Sequence, residues 1–160
     1  MTKTVHGVDH VDKPLVGALL RRPFVATRAH VVEQLRAAGY DDLQPAHLAV
    51  FQHPGPEGRS PGDLARSAHA TKQAMNNLLA QLERTGYLVR EVNPANRRER
   101  VVALTPRGRE AVAVIRRAVA GLEDGWRDEL GARDYDRLRG LLERLNGLVA
   151  EETTSPLPPT

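Results

Sequence analysis

Apolar residues recur at helical intervals along most of this chain, with one stretch where the period drops to two. From Pro14 to Ala38 the apolar positions are Leu15, Val16, Leu19, Leu20, Phe24, Val25, Val32 and Leu35, which predicts a helix. Pro23 lies inside it and, lacking an amide hydrogen, is expected to kink or split it; Gly39 is the expected stop. A short helix is predicted from Pro45, with Leu48 and Phe51 inward, ending before His53-Pro54-Gly55-Pro56. Ser60-Pro61-Gly62-Asp63 has the form of a helix start. Ser60 caps, Pro61 suits the first helical position, and Asp63 completes a capping box. That helix is short, with Leu64, Ala65 and Ala68 facing in. After His69-Ala70, Thr71 caps a second helix with Met75, Leu78, Leu79 and Leu82 on one side, and Gly86 ends it.

The period then changes. Tyr87 to Val92 reads as a strand, Asn93-Pro94-Ala95-Asn96 as a turn, and Arg100 to Leu104 as the return strand, so that Arg97, Arg98 and Arg100 make the hairpin tip basic. Thr105-Pro106 opens a long helix toward Leu130, with Val112, Ile115, Val119 and Leu122 on one stripe, Gly121 and Gly125 weakening it midway, and Gly131 ending it. The last helix, about Arg133 to Ala150, gathers Leu138, Leu141, Leu142, Leu145, Leu148 and Val149 on a single face. A small monomer has no evident cover for that seam and for the one carrying Leu15 and Leu19 on the first helix. Two chains packing their terminal helices together would cover both, so a homodimer is expected.

The predicted fold is mainly α with a small β-hairpin. A winged helix-turn-helix is expected over 43–121, helical dimerisation regions over 13–38 and 122–152, a flexible tail over 1–12, and a disordered Pro-rich tail over 153–160.

Composition narrows the function classes. The chain has 160 residues, two Phe, three Tyr and one Trp, so its core must be mainly Leu, Val and Ala, which favours helices. Cysteine is absent, which excludes a disulfide framework, thiolate metal sites and reversible thiol switching. No apolar run approaches the ~20 residues that span a bilayer. The first twelve residues are polar and do not read as a secretory signal, so no membrane association and a cytoplasmic location are expected. The net charge of +3 is unevenly spread. Arg59 to Arg109 holds ten basic and four acidic residues; Gly121 to Glu152 holds five basic and nine acidic ones. A basic middle beside an acidic end fits a polyanion-binding surface, and taken alone it fits a solvated face equally well.

Order along the chain separates those two readings. Two short helices, a tight turn and a basic hairpin follow one another as in a winged helix-turn-helix. The second helix carries Lys72, Gln73, Asn76 and Asn77 in its first two turns, where amides and Lys can pair with adenine or guanine edges. Its N-terminal amides, with Ser60 and Thr71 at the helix starts, can meet phosphate. Arg97, Arg98 and Arg100 can reach phosphates or a neighbouring minor groove.

The segments Ser60-Pro61-Gly62-Asp63-Leu64-Ala65, Thr71-Lys72-Gln73-Ala74-Met75 and Leu82-Glu83-Arg84-Thr85-Gly86-Tyr87-Leu88 resemble the recognition region of MarR-family regulators. The hairpin is similar too. The family's wing reads Asp, any residue, Arg, three residues, Val, any residue, Leu-Thr; here it reads Asn96-x-Arg98-x-x-x-Val102-x-Leu104-Thr105. The resemblance covers residues 14 to 150. It implies a homodimeric regulator of transcription, probing a pseudo-palindromic operator in double-stranded DNA as a repressor. It also implies a small aromatic or amphipathic effector bound between the dimerisation helices and the reading head. Asn96 stands where the family has an Asp that tends to pair with the wing Arg; an amide accepts a hydrogen bond but brings no charge.

Other classes fare worse. The histidines are scattered: His6 and His10 in the tail, His30 on the first helix, His47 and His53 flanking the short helix, His69 in the turn. No HExxH motif or carboxylate cluster joins them, so neither a metal site nor a cofactor is expected. No nucleophile elbow, phosphate loop or dinucleotide fingerprint is present, and the chain is not expected to be an enzyme. The alternative is a winged helix that binds protein without specific DNA binding; the basic wing argues for phosphate instead.

Overall fold

The computed structural model describes residues 13–52 and 54–154. It contains α1 (Val16–Ala37), a short 3-10 helix (Pro45–Ala49), α2 (Pro61–Ser67), α3 (Lys72–Arg84), β1 (Leu88–Asn93), β2 (Asn96–Leu104), α4 (Pro106–Leu130) and α5 (Ala132–Thr154). The chain forms two compact units that divide within α4, after Ala118. The tail expected over 1–12 lies outside the described residues. Of the tail expected over 153–160, Thr153 and Thr154 instead continue α5, and the rest lies outside the described residues.

In the first unit, α1 runs unbroken through Pro23, so of the expected kink or split the split does not occur. Proline removes one hydrogen bond, and this turn is exposed, so water can serve the carbonyl left over. Thr27 also donates its hydroxyl to the Pro23 carbonyl at 2.8 Å. Only the C-terminal half of α1 is packed, through Val31, Val32 and Leu35. Those residues join Leu43, Leu48, Val50, Leu64, Met75, Leu79, Leu82, Tyr87, Leu88, Val102 and Ala111 in one core.

The helix ends follow from the sequence. Ser60 caps α2: its hydroxyl oxygen accepts from the Asp63 amide at 3.2 Å and its proton goes to the Asp63 carboxylate at 2.8 Å. Thr71 caps α3, accepting from the Ala74 amide at 3.1 Å. At the end of α3 the Tyr87 amide bonds Leu82 O and the Gly86 amide bonds Glu83 O, with Gly86 at φ +76°. Helix α2 closes with the same pair of bonds, Ala70 to Ala65 and His69 to Arg66, yet the residue in the left-handed position is His69, at φ +48°.

The hairpin pairs Leu88 with Leu104 through Val92 with Arg100, then shifts register to Asn93 with Asn96. β2 therefore begins at Asn96, ahead of the expected Arg100, and the surplus residues 97–99 form a bulge. Two asparagines shape it: Asn93 Oδ1 accepts from the Ala95 amide at 3.0 Å and Asn96 Oδ1 from the Arg98 amide at 3.2 Å. A third edge, not foreseen, is laid along β2. Gly58 donates to Val102 O at 2.8 Å, Val102 donates to Arg59 O at 3.0 Å, and the Glu57 carboxylate takes the Leu104 amide at 2.8 Å.

Helix α4 packs through Gly108, Ala111 and Ala118; the expected stripe Val112, Ile115, Val119 and Leu122 is only half-buried. The reason is close approach: a Cβ on Gly108 would stand 1.9 Å from the Tyr87 carbonyl oxygen. In the second unit, α5 leaves Leu138, Leu141 and Leu148 exposed and Leu142 and Leu145 half-buried. The bend at Gly131 between α4 and α5 is flanked by charge pairs. Arg127 meets Asp136 at 3.1 Å, and Arg139 meets Glu143 at 3.2 Å and Glu123 at 3.9 Å.

Candidate nucleic-acid interface

Helix α3 is seated by its apolar side, Met75, Leu79 and Leu82, all fully buried. At roughly 100° per residue, the direction opposite those three is occupied by Gln73, Asn77 and Arg84. All three are exposed, as is Lys72. Asn76 lies to one side and is half-buried. With Pro61, Glu83, Arg90 and Arg100 it lines an open groove of about 400 Å³ between α3 and the hairpin. The four polar residues that sequence grouped on one face are thus divided between an outward ridge and a groove wall. Ser60 is buried and its hydroxyl is spent on the α2 cap, so its part is to fix the helix start.

The cap is also electrostatic. The Ser60 hydroxyl bond holds the Asp63 carboxyl below the usual carboxylate range, against a smaller effect of burial; the Ser60 amide, Arg66 and Arg59 push it the same way.

The ten basic residues of Arg59–Arg109 sort into two sets. Five have internal partners. Arg59 donates to the Asp63 carbonyl at 3.0 Å and Ser67 Oγ at 2.5 Å, and Arg66 pairs with Asp63. Arg90 places two nitrogens on one Glu83 oxygen, at 2.7 and 3.1 Å. Arg109 donates to Leu104 O at 2.6 Å. Arg107 donates to the Thr85 carbonyl at 2.8 Å and to both oxygens of Asp42 at 3.0 and 3.2 Å. The other five, Lys72, Arg84, Arg97, Arg98 and Arg100, are exposed and have no side-chain partner among the described residues. Every one of them lies on α3 or the hairpin. Glu99, the acid next to Arg98 in the chain, accepts from the Asn93 side-chain amide at 2.7 Å. Five cations held out of ion pairs on two adjoining elements are what a polyanion site requires.

Behind this surface a cluster built around buried Tyr87 fixes the C-terminal end of α3. Tyr87 is fully buried and donates its hydroxyl to Asp42 at 2.5 Å. The Arg107 guanidinium covers the Tyr87 ring at 4.4 Å, and the Tyr40 ring stands 6.2 Å away. Burial, then the Asp42 contact, pushes the Tyr87 phenol well above its ordinary pKa, so it stays protonated and keeps donating. Nearby, buried His47 ties the 3-10 helix to α3: Nδ1 accepts from the Gln44 amide at 3.0 Å and Nε2 meets Gln81 Oε1 at 2.9 Å. Sequence reasoning missed Asp42, Arg107 and Gly108; a lone glycine in an otherwise helical pattern was the one signal available.

The fold agrees with what similarity shows. Residues 41–99 match the family model described as the MarR family. The HTH-type transcriptional repressor Rv2887 of Mycobacterium tuberculosis is 35% identical over 113 residues, 68% of this chain and 79% of that protein. This chain belongs to the MarR family. A protein described as the transcriptional regulator of the hcr operon in Thauera aromatica is 32% identical over 88 residues, and the match spans about half of that relative's length, 53%. Among solved structures, MarR superposes with a TM-score of 0.71 at 25% identity, covering 92% of this chain and 98% of that one. Rv2887 in complex with salicylic acid gives 0.56 at 32%, covering 84% and 98%. CouR bound to a 23-mer DNA duplex shares the fold, at 0.63 and 22%, covering 82% and 92%. This MarR-family chain is a DNA-binding regulator of transcription with a winged helix-turn-helix. Among its described residues no helix is long and apolar enough to cross a membrane.

Proposed function

We propose that this MarR-family protein is a homodimeric, cytoplasmic repressor that occupies a pseudo-palindromic operator and is released by a small aromatic or amphipathic molecule. The observation that carries the reading is the set of five unpaired cations confined to α3 and the hairpin. Lys72, Gln73 and Asn77 enter the major groove, with the Thr71 cap at its edge; Arg97, Arg98 and Arg100 hold phosphates or enter the adjoining minor groove. Two such heads, about one DNA turn or ~34 Å apart, read the two half-sites.

The dimer is supported by apolar surface that one copy leaves bare. Leu15, at the N-cap of α1, is 77% exposed and Leu19 on α1 53%; Leu141 is 50% and Leu148 62% on α5. With Leu138, Leu142 and Leu145 on α5 they are apolar side chains that a second copy would bury. The effector is supported by the relative solved with salicylic acid. A ligand releases DNA only by favouring a dimer whose head spacing does not fit the duplex. Fluorescence-anisotropy titration of the purified protein against random and genomic duplexes, with and without salicylate as probe, tests the reading. Specific duplex binding by a dimer supports it; no duplex binding at any salt concentration overturns it.

A further inference from the structure

Helix α3 places its amides at unequal depths, and this divides labour among them. Gln73 and Asn77 stand one turn apart on the ridge directly opposite Met75, Leu79 and Leu82, and both are exposed among the described residues. Asn76 is rotated toward the hairpin, in the groove wall it shares with Glu83, Arg90 and Arg100. Resting on the proposed function, we propose that Gln73 and Asn77 are the base readers and that the half-site they select carries two adenines. Asn76 belongs to the seam between α3 and the wing and reads no base.

The chemistry behind this is the geometry of a primary amide. Its carbonyl accepts from adenine N6 and its NH₂ donates to N7, a two-bond match that no other base offers in the major groove. Four residues of helix advance about 6 Å, against about 3.4 Å per base step, so two amides at i and i+4 address positions one or two steps apart. Both lie in the first two turns, nearest the end that enters the groove. The short Asn76 side chain starts from the flank and would have to cross the groove shared with Arg90 and Arg100 before reaching a base edge.

The experiment is selection of bound sequences from a random duplex library by full-length protein, repeated with Gln73→Ala, Asn77→Ala and Asn76→Ala. Selected duplexes are then titrated with single adenines replaced by the deaza analogue that lacks N7. Gln73→Ala and Asn77→Ala should each relax one adenine position, at a loss of about 5- to 150-fold on the selected duplex and little on scrambled DNA. In each variant the matching deaza substitution should then cost nothing further, because the bond it removes is already gone. That cycle separates base reading from a structural defect, which would lower binding to every duplex alike. Relaxation of a base position by Asn76→Ala, or selected half-sites without adenine, overturns the assignment. Wild-type protein that binds duplexes without enriching any sequence overturns it while leaving a phosphate-binding head. Wild-type protein that binds no duplex overturns the proposed function itself.

Discussion

Replacing Gly108 by Ala should destabilise the first unit, although helix propensity alone predicts the opposite. Alanine is about 1 kcal/mol better than glycine in a helix interior. Here the added methyl would stand 1.9 Å from Tyr87 O, 2.9 Å from Tyr87 C and 3.1 Å from a Leu104 methyl. A carbon needs about 3.3 Å or more from a carbonyl oxygen, so the two segments must part by more than an ångström. The carbonyl cannot step aside cheaply: it accepts the Thr105 amide at 3.1 Å, while the Thr105 hydroxyl holds Gly86 O at 2.6 Å. Overpacking costs about 1–3 kcal/mol and a weakened hydrogen bond about 1. Set against the propensity gain, the net loss is about 1–3 kcal/mol. For a chain of this size that is a fall in Tm of roughly 2–12 °C. Gly62→Ala is the comparison, because its Cβ meets nothing nearer than 3.7 Å, an ordinary contact. Urea unfolding of both variants decides. Gly108→Ala at wild-type stability or above would refute the argument, since it would mean the Tyr87–α4 contact gives way freely.

Three further outcomes are expected. Asp63 holds its proton more weakly in the folded chain than in the unfolded one, so the α2 cap contributes fully above the unfolded carboxyl pKa, about 3.9, and is lost as pH falls through the lower folded value. Asp63→Asn should therefore flatten the acid side of the stability–pH curve; an unchanged acid limb would show that this carboxylate is not the group responsible. His69→Gly removes a side chain from the left-handed position and should stabilise by about 0.5–1 kcal/mol, read as a higher urea midpoint at unchanged slope; a lower midpoint means the imidazole makes up for its strain. Leu141→Asp combined with Leu145→Asp would bury unpaired charge in the proposed dimer seam and should shift sedimentation to the monomer; a wild-type chain sedimenting as a folded monomer at micromolar concentration would dispose of the seam.

What the sequence revealed were features written in neighbouring residues. The Ser60–Asp63 box, the Thr71 cap, the Gly86 stop and the Asn93–Asn96 turn each depend on a few consecutive side chains, and each stands where expected. What it hid depends on residues far apart in the chain. The Glu57–Arg59 edge is held by backbone bonds to β2 and shows no alternating pattern. Gly108 is required by a carbonyl of Tyr87, and Arg107 by an acid 65 residues earlier. His69 escaped notice because the left-handed position it fills is one where glycine is the usual signal. Pro23 does not split α1, because a proline's effect on a helix depends on whether water can replace the missing bond. In the site, residue types were legible but depth was not: Asn76 and Asn77 are adjacent in sequence, and only the packing of α3 separates a groove wall from an outward ridge.

The central claim is that α3 and the hairpin are the DNA-binding face, and the salt dependence of duplex binding by wild type and by the Arg97→Ala/Arg98→Ala/Arg100→Ala variant tests it most directly. Each phosphate contact adds about 0.9 to the slope of log K against log salt. Wild-type affinity should fall by orders of magnitude, ~10³ or more, between 50 and 200 mM salt. The variant should lose on the order of three to five units of slope per dimer, with its fold intact, because none of the three arginines has a side-chain partner within the chain's described residues. A wild-type response that is flat in salt, or a variant whose slope and affinity match wild type, would contradict the account.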